Sequence, residues 1–252
     1  MKPENHYPEY VARFYDLIYE KIRTTVDHDY YLRKMKSAKG SVLEIGVGTG
    51  RLFSDALREG VDVEGLDVNE TMLRQLRLRI PASEHHRIVM ADVRNFSLGK
   101  KFDLIVAPFR VMSHLLTVQD QLSSLSRIKT HLQDGGFFIW DAFVPDPILC
   151  SKGLEPVMDF DGFWKAGKKL QRVISVKPEP SRQINHAAMR FIWDDDDGMH
   201  DETWSFPMRY YFRYEIEHLF RIAGMKIFNI FGDFLEHDLD NASKEFVVVC
   251  GK

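Results

Sequence analysis

The stretch Ser41-Val-Leu-Glu-Ile-Gly-Val-Gly-Thr-Gly-Arg51 constrains this chain more than any other. Residues 42–45 read as a buried strand. Gly46, Gly48 and Gly50 then alternate, and a helix resumes with Leu52, Phe53, Ala56 and Leu57 on one face. A strand that turns through glycine into a helix makes a nucleotide-binding edge, because glycine accepts φ > 0 and lets a ligand approach with no Cβ in the way. The spacing is G-x-G-x-G, and Arg51 stands where a dinucleotide fingerprint places its third glycine. Glu44 lies inside the apolar strand, just before the first glycine. A carboxylate there repels a pyrophosphate and suits a cationic ligand.

With those residues in view, Glu44-Ile-Gly-Val-Gly-Thr-Gly50 resembles motif I of the class I S-adenosylmethionine (SAM) methyltransferases. The ligand of that family carries a sulfonium and an ammonium. The resemblance implies an α/β, Rossmann-like fold. It has a seven-stranded, mostly parallel sheet in the order 3-2-1-4-5-7-6, strand 7 antiparallel, with helices on both faces.

The rest of the chain reads consistently with such a core. Residues 61–67 form a strand ending in Asp67, near the offset of about 20 residues at which an acidic side chain pairs with ribose hydroxyls. Asn69 can cap the next helix, whose Met72, Leu73 and Leu76 face inward and which ends before Pro81. Residues 87–91 form a third strand, followed by Asp92. Residues 101–107 form a fourth, nearly continuously apolar, as a strand covered on both faces should be. Thr117-Val-Gln-Asp120 is a helix cap, with Leu122, Leu125, Ile128 and Leu132 at helical spacing behind it. Asp134-Gly-Gly136 reads as the stop of that helix, and residues 137–143 as a fifth strand, with Asp141 at its end on the substrate side. Residues 212–223 return to helix before Gly224, and residues 225–231 and 245–250 give the last two strands.

Two segments lie outside this rhythm. Residues 8–37 are aromatic-rich and helical. Val11, Phe14 and Ile18 share a face, and Phe14-Tyr-Asp-Leu-Ile-Tyr19 is similar to the Tyr-Asp-x-x-Tyr segment of small-molecule SAM methyltransferases, where it covers the site. The alternative is an amphipathic helix that packs its aromatics on the main sheet. Within residues 150–209, the stretches 169–176, 186–193 and 200–206 alternate like strands, with a solvated turn at 194–198. The acidic run there lacks the ligand spacing of a calcium loop, and no metal is expected. The domain reading is a helical lid at 1–40, a core at 41–149 and 210–252, and an inserted antiparallel β lobe at 150–209.

Composition bounds the partners. The net charge is −3, with 34 Lys and Arg against 37 Asp and Glu and no basic stripe, which disfavours nucleic acid. No stretch has transmembrane length and the polar first six residues hold no apolar signal region, so no membrane partner is expected. The two cysteines, Cys150 and Cys250, form no metal or disulfide framework and suit a reducing cytoplasm. Exposed edges on the β lobe offer a surface for a homodimer.

The resemblance carries site assignments. Glu44 would organise the amino-acid end of SAM, and Gly46, Gly48 and Gly50 would allow close backbone approach. Asp67, with Val68 beside it, would take the ribose, and Asp92 with Val93 the adenine. Ala107 and Phe109 would flank the methionine end. Tyr15 and His114 are the catalytic candidates lining the acceptor pocket, and Tyr19 and Trp164 join Tyr15 and Phe109 in an aromatic entrance. The expected reaction is in-line transfer of the SAM methyl group to a small molecule, an amine, leaving S-adenosylhomocysteine. The leaving group is already good, so alignment of the acceptor does most of the work. The alternatives are an O-methyltransferase with His114 as base, a non-catalytic SAM-binding scaffold, a nicotinamide oxidoreductase, which Arg51 disfavours, and an RNA methyltransferase, which the lack of a basic face disfavours.

Overall fold

The computed structural model describes residues 7–252, so the first six residues, and the polar start read from them, lie outside it. The chain opens with helices α1 (Glu9–Ile22) and α2 (Val26–Lys36). Strand β1 (Val42–Ile45), helix α3 (Arg51–Arg58), strand β2 (Val63–Asp67), helix α4 (Glu70–Arg79), strand β3 (Ile88–Met90) and strand β4 (Phe102–Ala107) follow. Helix α5 (Val118–His131) leads into strand β5 (Leu132–Phe143) and the short helix α6 (Pro147–Lys152). Four long strands come next: β6 (Leu154–Lys165), β7 (Lys168–Glu179), β8 (Ile184–Asp195) and β9 (Gly198–Arg209). Helix α7 (Arg213–Ile222) and strands β10 (Lys226–Phe231) and β11 (Glu245–Gly251) complete the chain.

The main sheet has the order β10-β11-β5-β4-β1-β2-β3. β1 lies parallel between β2 and β4, with Val42 opposite Val63 on one side and Leu104 on the other. β11 runs antiparallel to both β5 and β10. This is the expected order 3-2-1-4-5-7-6 with the last strand reversed. The central strands are apolar because both their faces are covered. Leu43, Ile105 and Phe138 pack in one buried cluster, and Val42, Val106 and Ile139 in another. The order reverses between β1 and β4, so their carboxyl ends open a crevice where ligands of open α/β sheets bind.

Local chemistry sets the helix starts. The Asn69 side chain accepts from the Met72 amide (3.2 Å) to cap α4, and Thr117 accepts from the Asp120 amide (3.0 Å) to cap α5. Asp134-Gly-Gly136 is not the stop of α5. The helix ends at His131, Leu132 already pairs with Phe102, and the glycines sit in an irregularity of β5, where Gly135 has φ +81°. A Cβ on Gly136 would lie 2.9 Å from the Asp103 carbonyl oxygen, so the close strand approach requires glycine there.

The second sheet, β6-β7-β8-β9, is a wholly antiparallel meander with β6 and β9 at its edges. It has one strand more than the sequence shows, since the polar and exposed residues of β6 hide its alternation. Asp195 pairs with Gly198, and the turn between them is Asp196-Asp197. Helix α1 buries its apolar face on this sheet rather than on the main one. Val11, Phe14 and Ile18 meet Phe160, Leu170, Phe191, Trp193, Trp204 and Phe206. Among the described residues no helix is long and apolar enough to cross a membrane, and Cys150 and Cys250 are both free thiols.

Candidate active site

The crevice at the carboxyl ends of β1, β2 and β4 is a cavity of about 520 Å³. Its floor is the β1 turn from Glu44 to Thr49. One wall carries Asp67, Val68 and Asn69; a second carries Asp92, Val93 and Arg94. A third holds Phe109, Val111, His114 and Leu115. Tyr7 and Tyr15 close one side, and Arg182 reaches in from the turn between β7 and β8.

The glycines each do different work. Gly46, Gly48 and Gly50 have φ of +72°, +55° and +79°, the left-handed region that L side chains avoid. A Cβ on Gly46 would stand 2.4 Å from Val111 Cγ2, and one on Gly50 would stand 2.0 Å from Leu76 Cδ1. A Cβ on Gly48 would meet nothing closer than 4.0 Å, so the space beside its backbone is open.

The electrostatics centre on two acids. Glu44 is 1% exposed, and its Oε2 has no hydrogen-bond partner among the described residues. Burial, and then the nearby Asp67, push its carboxyl well above the usual range, while Arg51 opposes them. Asp67 is fixed by the backbone: Oδ2 accepts from the Gly48 amide (2.9 Å) and Oδ1 from the Asn69 amide (2.8 Å). Burial raises its pKa against those amides. A buried, unpartnered carboxylate oxygen is costly unless a donor or cation meets it. The ammonium of SAM supplies both, and the open face of Gly48 leaves room for a ligand, so the residues present fit that cofactor.

Asp92 carries its own cation. It lines the cavity, but Arg94 occupies its carboxylate through Nε (2.9 Å) and Nη2 (2.5 Å) and reaches Asp120 through Nη1 (3.1 Å). Burial alone would raise the Asp92 pKa; the Arg94 bonds outweigh it and hold the group low. Arg94 thus links Asp92 to Asp120 along the cavity lining.

Tyr15 also lines the cavity, and its ring lies 4.4 Å from that of Tyr19. Burial raises the Tyr15 phenol above its ordinary pKa, so the group stays protonated. His114 sits on the short 3-10 turn Val111–His114 after β4, its ring 5.9 Å from Phe206. Burial lowers its pKa to about 4, so the imidazole is neutral at ordinary pH.

Several expected residues stand elsewhere. Ala107 is fully buried in the core cluster and does not line the cavity. Tyr19 lies behind Tyr15 with the Arg23 guanidinium 4.5 Å from its ring. Trp164 packs on Phe14 beneath the Arg13 guanidinium, 4.0 Å from its ring, and donates to the Asp194 carbonyl (2.8 Å). Asp141 faces away from the cavity, with no exposure, and accepts from the Tyr31 hydroxyl (2.6 Å). Tyr7, Arg94 and Arg182 are cavity residues that sequence reasoning missed. Tyr7 precedes the first helix and Arg182 sits in a turn, so no periodicity marks either one.

Helix α1 is tied to the glycine loop as well as to the second sheet. Asp16 accepts from Thr49 Oγ1 (2.7 Å) and pairs with Arg79, and Arg51 Nε lies 3.9 Å away. At the tip of the β8–β9 hairpin, Asp195, Asp197 and His200 bring possible metal-ligating atoms within 4.8 Å of one another. Asp195 is already engaged by Arg13 (2.7 Å) and Asp197 by His200 (2.8 Å).

Comparison with known proteins agrees with this geometry. Residues 42–136 match a family described as a methyltransferase domain. The chain is similar to the dTDP-3-amino-3,4,6-trideoxy-alpha-D-glucopyranose N,N-dimethyltransferase of Streptomyces venezuelae, 30% identical over 108 residues. That match covers 43% of this chain and 44% of the relative, so the chain spans less than half of that protein's length. It is also similar to the glycine/sarcosine N-methyltransferase of Parasynechococcus marenigrum (strain WH8102), 27% identical over 250 residues, 96% of this chain and 84% of the relative. Among solved structures it shares its fold with a SAM-dependent methyltransferase from Clostridium acetobutylicum, with a TM-score of 0.77 at 15% identity, covering 96% of this chain and 97% of that one. The cavity, the motif that floors it and these likenesses converge: residues 42–136 match a methyltransferase domain, and the chain has the fold seen in SAM-dependent methyltransferases.

Proposed function

We propose that the chain methylates the nitrogen of a small-molecule amine, with Glu44, Asp67 and the glycine loop holding SAM and with Tyr15 and His114 facing the acceptor. When bound, SAM supplies an electrophilic methyl group on a sulfonium. The observation that carries the nitrogen assignment is the state of His114. An imidazole whose pKa is lowered to about 4 is a weak base, poorly matched to removing a hydroxyl proton near neutral pH. It suits an acceptor whose lone pair is free once its proton is lost to solvent, and its ring nitrogen can still accept an N–H hydrogen bond. The buried phenol of Tyr15, kept protonated, can donate to a neighbouring polar group but cannot serve as a base. This favours N- over O-methylation. Both relatives described above are named as N-methyltransferases, which supports the same choice.

Arg182 bears on the rest of the acceptor. Its only ion pair among the described residues is a loose one, 3.6 Å to a half-buried Glu179. The acceptor reading therefore includes an anionic group lying toward the β7–β8 turn. The test is methyl transfer to a panel of matched amine and hydroxyl compounds, each with and without a carboxylate or phosphate, followed by release of S-adenosylhomocysteine. Product with amines and none with hydroxyl partners is expected. Methylation of the hydroxyl series, or SAM binding with no turnover on any amine, would overturn the reading.

A further inference from the structure

The wall of the cavity after β4 contains a conformation that nothing local explains. Phe109 and Arg110 are consecutive non-glycine residues with φ of +58° and +65°. Bulky L residues avoid this region, and two in succession persist only where their surroundings hold them.

The surroundings lie on the far side of the turn from the cavity. The Arg110 side chain is buried, and carboxylates from three separate elements converge on it. Asp27 from the start of α2 lies 3.6 Å from Nη1, Asp141 on β5 lies 3.3 Å from Nε, and Glu245 at the start of β11 pairs with Nη2. The Phe143 ring covers the guanidinium at 4.1 Å. Asp141 is braced in turn by the Tyr31 hydroxyl, and the Phe109 backbone amide also stabilises its charge. A buried cluster of this kind is expensive to desolvate. None of its four charged side chains lines the cavity, so contact with a ligand there does not account for it.

What the cluster does reach is the turn itself. On one side of Arg110, Phe109 lines the cavity with the Arg51 guanidinium 5.6 Å from its ring. On the other side, Val111 lines the cavity and closes against Gly46. We propose that Asp141 and Arg110 are positioning residues for the cofactor site: by clamping the left-handed turn from behind, they set where Phe109 and Val111 stand against the glycine loop. The proposal rests on the reading that Phe109 bounds the cofactor.

The test is a double-mutant cycle on Asp141→Asn and Phe109→Ala, read by calorimetric titration with S-adenosylhomocysteine alongside thermal denaturation. Asp141→Asn keeps the side-chain shape and removes the charge. The expected result is about tenfold weaker binding for each single variant and no further loss in the double variant, because the two act through one element. Binding unchanged in Asp141→Asn while its melting temperature falls would overturn the proposal, as would losses that multiply in the double variant. If the wild-type protein binds and Phe109→Ala binds equally well, the contact on which the proposal rests is wrong. Tyr31→Phe removes only the hydroxyl that braces Asp141 and covers the case in which Asp141→Asn does not fold. About threefold weaker binding is expected of it, since one hydrogen bond is lost, and wild-type binding would count against the clamp.

Discussion

At the scale of single residues, two groups in the cavity are tuned in opposite senses, and both shifts trace to burial. Glu44 is pushed toward its neutral form by burial and by Asp67, so a cation arriving beside it restores the carboxylate. His114 is pushed toward its neutral form too, and for a base this means losing the proton, with a pKa near 4. Its protonation is then complete only below that value, so it contributes no inflection in the neutral range. The pH dependence of kcat/KM for an amine substrate should therefore show no histidine limb between about pH 5.5 and 8, apart from the ionisation of the amine itself. An inflection near 6.5 that disappears in His114→Asn would mean that the ring is exposed enough to titrate normally.

At the scale of elements, α1 couples two parts of the molecule that are distant in sequence. Its apolar face is the cover of the second sheet, while Tyr15 and Asp16 on the adjoining face meet the cavity and the glycine loop. Phe14 sits at the centre, 1% exposed, against Trp164, Phe191 and Trp193. Phe14→Ala should lower the unfolding free energy by about 3–5 kcal/mol by leaving a cavity, measured by denaturant titration. A loss under about 1 kcal/mol would show that the helix is not anchored there. The same helix marks the limit of sequence reading. Its face was legible from the spacing of Val11, Phe14 and Ile18, because helical period depends on the segment alone. Its partner was not, because which sheet receives that face depends on strands more than a hundred residues later. The motif-bearing turns at the ends of β1 and β2 were legible for a different reason: glycine and strand-end carboxylates are local requirements of the backbone. Ala107 was misplaced because side-chain direction at a strand end is fixed by register, and Asp141 because its partners, Tyr31 and Arg110, come from remote elements. Arg94 was missed although it lies close to Asp92, since a surface arginine carries no pattern until its two acidic partners are seen together.

At the scale of the whole molecule, α2, β4, β5 and β11 meet at the Arg110 cluster, which gives the fold a titratable junction. Glu245 has its pKa raised to about 7, chiefly by burial and against the pull of Arg110. The folded state then binds more protons than the unfolded chain between the ordinary glutamate range and pH 7. The stability this group contributes is present in full below about pH 4 and is lost as pH rises through 7. Unfolding free energy measured across pH 5 to 8 should fall with rising pH, and Glu245→Gln should flatten that fall. An unchanged slope in the variant would place the proton elsewhere. The cavity takes its lining from the crevice of the main sheet, from Tyr7 and Tyr15 at the N-terminal helix and, through Arg182, from the turn between β7 and β8.

The claim on which all of this depends is that the turn after β1, with Glu44 beneath it, is where SAM binds. Calorimetric titration of SAM into the wild-type protein and into Glu44→Gln, run in parallel, addresses it directly. Saturable binding to the wild type is expected, weakened about 10- to 100-fold in the variant, as the loss of one buried charge-assisted contact implies. No binding to the wild type at millimolar SAM, or equal affinity in the two proteins, would contradict it.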